Sequence, residues 1–320
     1  MATSNKKSTN AAKKAPPARP GAKRRTRSGR PAGLFTWVTI GAVVIVIAGI
    51  ILIKVVSSST PNQKYATGFH PVPASIMSEL TGVSLSTFNQ VGINASITAV
   101  TVPTALSGAT ELNWKGTDGV KRPTVYYFGA EYCPFCAAER WVMIVALSRF
   151  GTFTNVGLMA SSSTDYAPNT PTYTFVNATY TSPYINFSSV ESAKNTVNPK
   201  TGSWYLLQKP NKAQTADLEA YDTPSYIPSV QNAGDIPFIS FNNKWLIGGA
   251  QYSPLILKNL SQSTIASDLN YSTSLLGQPI IAAANLLSAA VCDTDGQMPV
   301  AVCTSSGVKA ADSAMSIKTS

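Results

Sequence analysis

The longest apolar run of the chain, Leu34 to Ile53, holds twenty residues without a charge, and only small or hydroxyl side chains interrupt it. A helix of that length crosses a hydrocarbon core of about 30 Å, with Trp37 and Lys54 near its two interfaces. Downstream the pattern shortens. Thr124–Phe128 is β-branched and aromatic and follows the turn signals Asp118-Gly119 and Pro123, which predicts a short buried strand. From Ala137 to Phe150 the period is helical, with Ala137, Trp141, Ile144, Val145 and Ser148 on one face, Glu139, Arg140 and Arg149 elsewhere, and Gly151 as the stop.

Further along, Thr172–Val176 reads as another strand, and Gly234–Phe241, Asn242-Asn243-Lys244 and Trp245–Gly249 read as strand, Asn-rich hairpin turn and strand. Ala74–Val91 carries a weak helical pattern and Ala95–Val102 alternates like a strand. Pro254–Leu269 and Pro279–Val291 read as two terminal helices, the second nearly all apolar and expected to pack on the sheet.

Charge adds topology to this picture. The formal net charge is +10, and residues 1–32 alone hold ten Lys and Arg with no acidic residue, so the remainder is balanced. By the positive-inside rule the tail stays cytoplasmic and the rest is exported, which makes residues 33–56 a single-pass signal anchor in the plasma membrane. A cleaved signal peptide is the alternative; the run is longer than a usual signal core and no small-x-small site follows it. Topology accounts for the basic tail, so no nucleic-acid role is assigned to it, although anionic lipid headgroups are a possible contact. The resulting organisation is a basic disordered tail (1–32), the anchor, a polar linker (57–64), an exported domain (65–304) and a flexible C-terminal tail (305–320).

The chemistry sits in Cys133-Pro134-Phe135-Cys136, placed where the aromatic strand ends and the helix begins. Two cysteines three positions apart at a helix start can close a small disulfide, and the helix dipole favours a thiolate at the first. Pro134 opens the helix without wasting an N–H, and Phe135 offers an apolar neighbour to a substrate.

The string Ala130-Glu131-Tyr132-Cys133-Pro134-Phe135-Cys136 after a hydrophobic strand resembles the active-site signature of the thioredoxin superfamily. Pro237, opening its strand, matches the cis-proline that faces the Cys-x-x-Cys there. The resemblance implies an α/β, thioredoxin-like fold in which Cys133 is the nucleophile, Cys136 the resolving thiol, and Ile236 with Pro237 the facing wall where an extended substrate pairs. About a hundred residues separate Cys136 from Pro237. An insertion at about 161–231 follows, rich in Tyr, Thr, Asn, Pro and Ser and without long amphipathic helices. Where thioredoxins keep a buried carboxylate on the strand, this chain has Tyr127, so Cys136 must rely on water, Glu131 or a group from the insertion for its proton. The longer string, with Glu139-Arg140-Trp141, Ala146–Gly151 and Pro168–Thr172, is similar to a prokaryotic, membrane-anchored thioredoxin-like family known only as a domain of unknown function, over about Tyr65–Cys303.

The other cysteines, Cys292 and Cys303, have ten residues between them and suit a structural disulfide stapling the loop after the last helix. A zinc site joining all four cysteines is the competitor; the gap is poor for it, and the lone histidine, His70, reads as a surface residue near the linker. Asp217, Glu219 and Asp222 read as a solvated face. Asn94, Asn177, Asn186, Asn259 and Asn270 begin Asn-x-Ser/Thr sequons, which matter only in a glycosylating host.

The expected function is a membrane-anchored extracytoplasmic thiol-disulfide oxidoreductase, oxidase or isomerase rather than reductase. It needs no metal, flavin or nucleotide, acts on exported thiol- or disulfide-containing proteins and is recycled by a membrane redox partner. The alternative is a membrane-tethered binding or scaffold protein, with the Cys133–Cys136 disulfide structural and the Tyr-rich insertion as its surface.

Overall fold

Glycine and hydroxyl residues divide the first helical stretch in two, α1 (Ala74–Thr81) and α2 (Leu85–Val91), in a computed structural model that describes residues 64–65 and 67–317. The basic tail, the apolar span and most of the linker lie outside the described residues; the chain divides near residue 60, and the described residues all lie in its second unit, 61–320. Among the described residues no helix is long and apolar enough to cross a membrane. Gly82 closes α1 by donating to the Ser78 carbonyl, and Ser84 opens α2 by accepting from the Thr87 N–H.

The alternating segment Ala95–Val102 is not a strand, contrary to its pattern. Its Thr101 N–H donates to the Gln251 carbonyl, and Gln251 Nε2 donates to the Thr101 carbonyl at 2.7 Å. This loop-to-loop pair satisfies backbone groups that a ladder would otherwise serve. The first strand, β1 (Thr104–Ala105), begins only after Pro103.

Next come β2 (Thr124–Gly129), α3 (Pro134–Leu147), β3 (Thr152–Thr154), β4 (Gly157–Ala160), β5 (Pro171–Thr174), β6 (Thr179–Thr181) and β7 (Asn186–Glu191). After β8 (Ala193–Val197), β9 (Trp204–Leu206) and the capping-box helix α4 (Lys212–Tyr221) follow β10 (Phe238–Phe241) and β11 (Trp245–Gly248). Five strands form a mixed sheet in the order β1-β11-β10-β2-β7, with β2 and β7 parallel and every other neighbour antiparallel. The pairs β3–β6, β4–β5 and β8–β9 are separate ribbons. The hairpin between β10 and β11 turns through Asn242 and Asn243, both at positive φ, as the Asn-rich string predicts.

Alternation along the strands sorts two cores. Val125, Tyr127, Ile239, Phe241 and Ile247 face the large core shared with α3 and the long helix α6 (Gly277–Thr294), while Tyr126, Phe238 and Leu246 face a smaller one with Ile227 and Val230. The sheet is therefore buried on both faces.

Every residue of α3 except Phe135 is buried, so the expected polar face carrying Glu139 and Arg140 does not exist. The helix is covered by α6 and β5 as well as the sheet. Side chains from outside grip it: Thr172 Oγ1 donates to the Ala137 carbonyl at 2.7 Å, Tyr252 Oη to Ala138 at 2.9 Å, and Trp141 Nε1 donates outward to Pro171 at 2.9 Å.

Pro254–Leu269 is not one helix. It is a 3-10 turn, Pro254–Leu257, and then α5 (Gln262–Asp268), separated by Asn259 at positive φ and restarted by Ser261, whose hydroxyl accepts from the Thr264 N–H. The two Asp of the expected solvated cluster are buried: Asp217 accepts from Asn243 Nδ2 at 2.8 Å, and Asp222 caps α4, while Glu219 is exposed. His70 is at the surface.

The C-terminus corrects a further expectation. Residues 305–320 are not a flexible tail throughout, because after α7 (Val300–Cys303) the helix α8 (Ser306–Met315) sets Val308, Ala311 and Met315 into the large core against α6. Their spacing, one apolar residue per turn, is the amphipathic period that the sequence reading passed over. Cys292 and Cys303 are disulfide-bonded, so the bond joins α6 to α7 and staples the loop between them, as expected. Replacing both with alanine is expected to lower stability by about 2–3 kcal/mol, from the short loop closed. Thermal unfolding checks this; an unchanged midpoint would mean that α8 packing alone holds the segment.

Candidate active site

Register brings the Cys-x-x-Cys and the proline together. Phe238 lies opposite Phe128, near the end of β2, so the residues just before β10 sit beside the loop that leaves β2. The Ile236–Pro237 peptide bond is cis, and the Cys133 thiol donates to the Ile236 carbonyl at 3.7 Å. Cys133 is the N-cap of α3, with Pro134 at the first helical position, so the helix starts three residues before its apolar period does. As N-cap, the Cys133 Sγ accepts from the Cys136 N–H at 3.2 Å. The two sulfurs are unbonded and both cysteines are buried.

Insertion residues brace the loop. Glu131 N–H donates to the Ala193 carbonyl at 2.9 Å, and Ser162 N–H donates to the Tyr132 carbonyl at 2.8 Å. Two ring stacks flank it: Tyr132 on Trp204, with centroids 4.3 Å apart, and Phe135 on Tyr166, 5.8 Å apart. Each stack pairs a ring next to the dithiol, Tyr132 before it and Phe135 within it, with one from the insertion. Phe135, 39 % exposed, borders an open groove with Thr101, Ala250 and Gln251.

Beneath the pair lies an ion pair that the sequence reading did not single out. Arg140, one turn after Cys136, is wholly buried; its Nε donates to Glu191 Oε1 at 2.8 Å and its Nη2 to Glu191 Oε2 at 2.5 Å and the Ala130 carbonyl at 2.8 Å. Glu191 ends β7 and lies opposite Gly129, so the insertion supplies the acidic partner. Burial opposes the Arg140 charge and Glu191 more than compensates. An arginine and a glutamate in otherwise apolar or hydroxyl strings were the available signal, but they are 51 positions apart.

The two thiols are driven in opposite directions. Burial pushes the Cys133 thiol up, but hydrogen bonds from the Cys136 thiol and N–H, with the Arg140 charge, bring it below the ordinary thiol value. Burial, the bond it gives to Cys133 and the charge there push Cys136 well above it. The thiolate is thus favoured at Cys133 and the thiol at Cys136.

The remaining supporting residues separate. Glu131 is buried beside a cavity of about 220 Å³ that also touches His70 and Lys194; its carboxyl accepts from Thr174 Oγ1 at 2.7 Å, and burial followed by the Glu191 charge raises it to about 7. Tyr127, in the large core, packs its ring on Phe175, with the Arg140 guanidinium 5.8 Å from the ring centroid. Glu139 faces away toward Gln251, whose N–H it accepts at 3.1 Å, and burial raises it to about 8.

These features define an α/β protein with a mixed sheet in which a strand, a dithiol at a helix start and a facing proline strand converge. Residues 119–293, more than half of the chain, match the family described as a domain of unknown function, DUF929, and the chain belongs to that family. No curated protein and no solved structure matches it.

Proposed function

We propose that this chain is a thiol-disulfide oxidoreductase of thioredoxin-like fold, anchored by its N-terminal span and acting outside the cytoplasm on exported proteins. The observation that carries the reading is Cys133 at the N-terminus of α3, with its sulfur held by the Cys136 N–H and 3.7 Å from the Ile236 carbonyl. Supporting it, β2, α3 and the parallel β7 precede the antiparallel β10–β11 hairpin, in the sheet order β11-β10-β2-β7. A dithiol after a strand, faced by a cis-proline at the start of another, is what the thioredoxin resemblance implies. Cys292–Cys303 is bonded while Cys133–Cys136 is open, which favours a redox pair over a second structural bridge.

In the reducing direction the Cys133 thiolate attacks one sulfur of a client disulfide and the other leaves with the electron pair, taking a proton. Cys136 then attacks Cys133 Sγ, and the client's remaining sulfur departs, also to be protonated. The client disulfide is reduced and Cys133–Cys136 is oxidised. Run backwards, the same steps oxidise a client dithiol. A Cys133 thiolate favoured by its surroundings stabilises the reduced protein, so donation of disulfides is the favoured direction, with a membrane redox partner restoring the disulfide.

Cys133→Ser is expected to abolish both insulin reduction and dithiol oxidation, and Cys136→Ser to accumulate mixed disulfides with exported clients. Absence of both activities in the wild-type protein, with partner binding unchanged in Cys133→Ser, would replace this reading by the tethered scaffold.

A further inference from the structure

The pocket around Cys136 holds donors without acceptors. Tyr127 Oη is wholly buried and has no hydrogen-bond partner, and the same is true of Arg140 Nη1. A Cβ on Gly129 would meet Tyr127 Oη at 2.2 Å and Cys136 Sγ at 3.0 Å, so the hydroxyl and the sulfur crowd the same small space and glycine alone fits beside them. The Arg140 charge acts on both sulfurs and on the tyrosine. Glu191 occupies the other side of the guanidinium. Buried donors left unpaired are costly, and the arrangement suits a state in which an acceptor forms beside them.

That acceptor is the Cys136 thiolate. Resting on the oxidoreductase reading, we propose that the Tyr127 hydroxyl donates a hydrogen bond to the Cys136 thiolate during the resolving step, beside the fixed charge of Arg140. The strand position thus stabilises the anion instead of accepting its proton. In that step the Cys136 sulfur, having released its proton to solvent, attacks Cys133 Sγ. The Cys133–Cys136 bond forms, the bond from Cys133 to the client sulfur breaks, and the departing sulfur keeps the electron pair and takes up a proton. Tyr127 keeps its own proton throughout and, by bonding to the reacting sulfur in that step, acts as a catalytic residue.

The test is the reaction of the reduced full-length protein with 5,5′-dithiobis(2-nitrobenzoate). Its first equivalent of released thiolate reports attack by Cys133 and its second reports resolution by Cys136. In Tyr127→Phe the first phase is expected at the wild-type rate. The second is expected about tenfold slower or more, with the midpoint of its pH–rate profile moved upward, as for loss of one charge-assisted hydrogen bond. The melting temperature should be unchanged or higher, because the lost hydroxyl had no partner. A second phase of wild-type rate and pH midpoint overturns the inference. Absence of the first phase in the wild-type protein overturns the oxidoreductase reading, and the role of Tyr127 with it.

Discussion

Replacing Arg140 by methionine is expected to destabilise the domain by about 3–5 kcal/mol, the usual consequence of leaving one member of a buried ion pair without the other. Glu191, with a side-chain exposure of 0 %, would keep its carboxylate in the core facing no cation. Arg140→Met/Glu191→Met should recover most of the loss, because apolar replacement of both partners is often neutral or better. Urea unfolding of the wild type and the two variants measures this. If the double variant is as unstable as the single one, the loss comes from the bond to the Ala130 carbonyl and from packing, not from the stranded charge. The same bond braces the loop before Cys133, so the double variant is also expected to react more slowly at Cys133 even where its stability returns.

Glu139 carries the second large effect, of opposite kind. Its carboxyl is wholly buried, accepts one hydrogen bond from the Gln251 N–H and leaves Oε1 without a partner beside Tyr252. Burial raises it from 4.5 to about 8. Below the unfolded value both states are protonated and nothing is lost. As pH rises from about 4.5 to about 8 the unfolded chain ionises while the folded one holds its proton, so stability falls across that window and levels off above it. At 1.36 kcal/mol per pH unit the total is on the order of 4–5 kcal/mol. Glu131 and Asp222, raised to about 7, and Asp217, raised to about 6, act in the same direction. Glu139→Gln keeps an acceptor for Gln251 and cannot ionise, so it should be the more stable protein at pH 8 and close to wild type at pH 4.5. Chemical denaturation at the two pH values decides; equal gains at both would mean that shape, not ionisation, is what the substitution changes.

Local chemistry was enough for several elements. Thr124–Phe128, bounded by turn residues, specified β2, and Asn242-Asn243 between two apolar runs specified the β10–β11 hairpin, because strand propensity and positive-φ turns are decided by neighbours in the chain. The apolar run after Pro279 likewise specified α6. Cys-Pro-Phe-Cys at a strand–helix junction was legible for the same reason, since N-capping and the first turn are local. What depended on partners distant in sequence was not legible. Ala95–Val102 alternates as a strand does, but the loop at Gln251 took its hydrogen bonds. Glu139 and Arg140 look like the polar face of an amphipathic helix, and only the covering of α3 by α6, β5 and the sheet turned them into a buried acid and a buried ion pair. Asp217 and Asp222 read as solvated until the small core closed over them. The candidate site divides in the same way: its two sulfurs were visible in four adjacent residues. Their surroundings, with Ile236 at one side, Tyr127 and Arg140 below and Glu191 across from Gly129, come from strand register and helix packing, which act between segments that no sequence period connects.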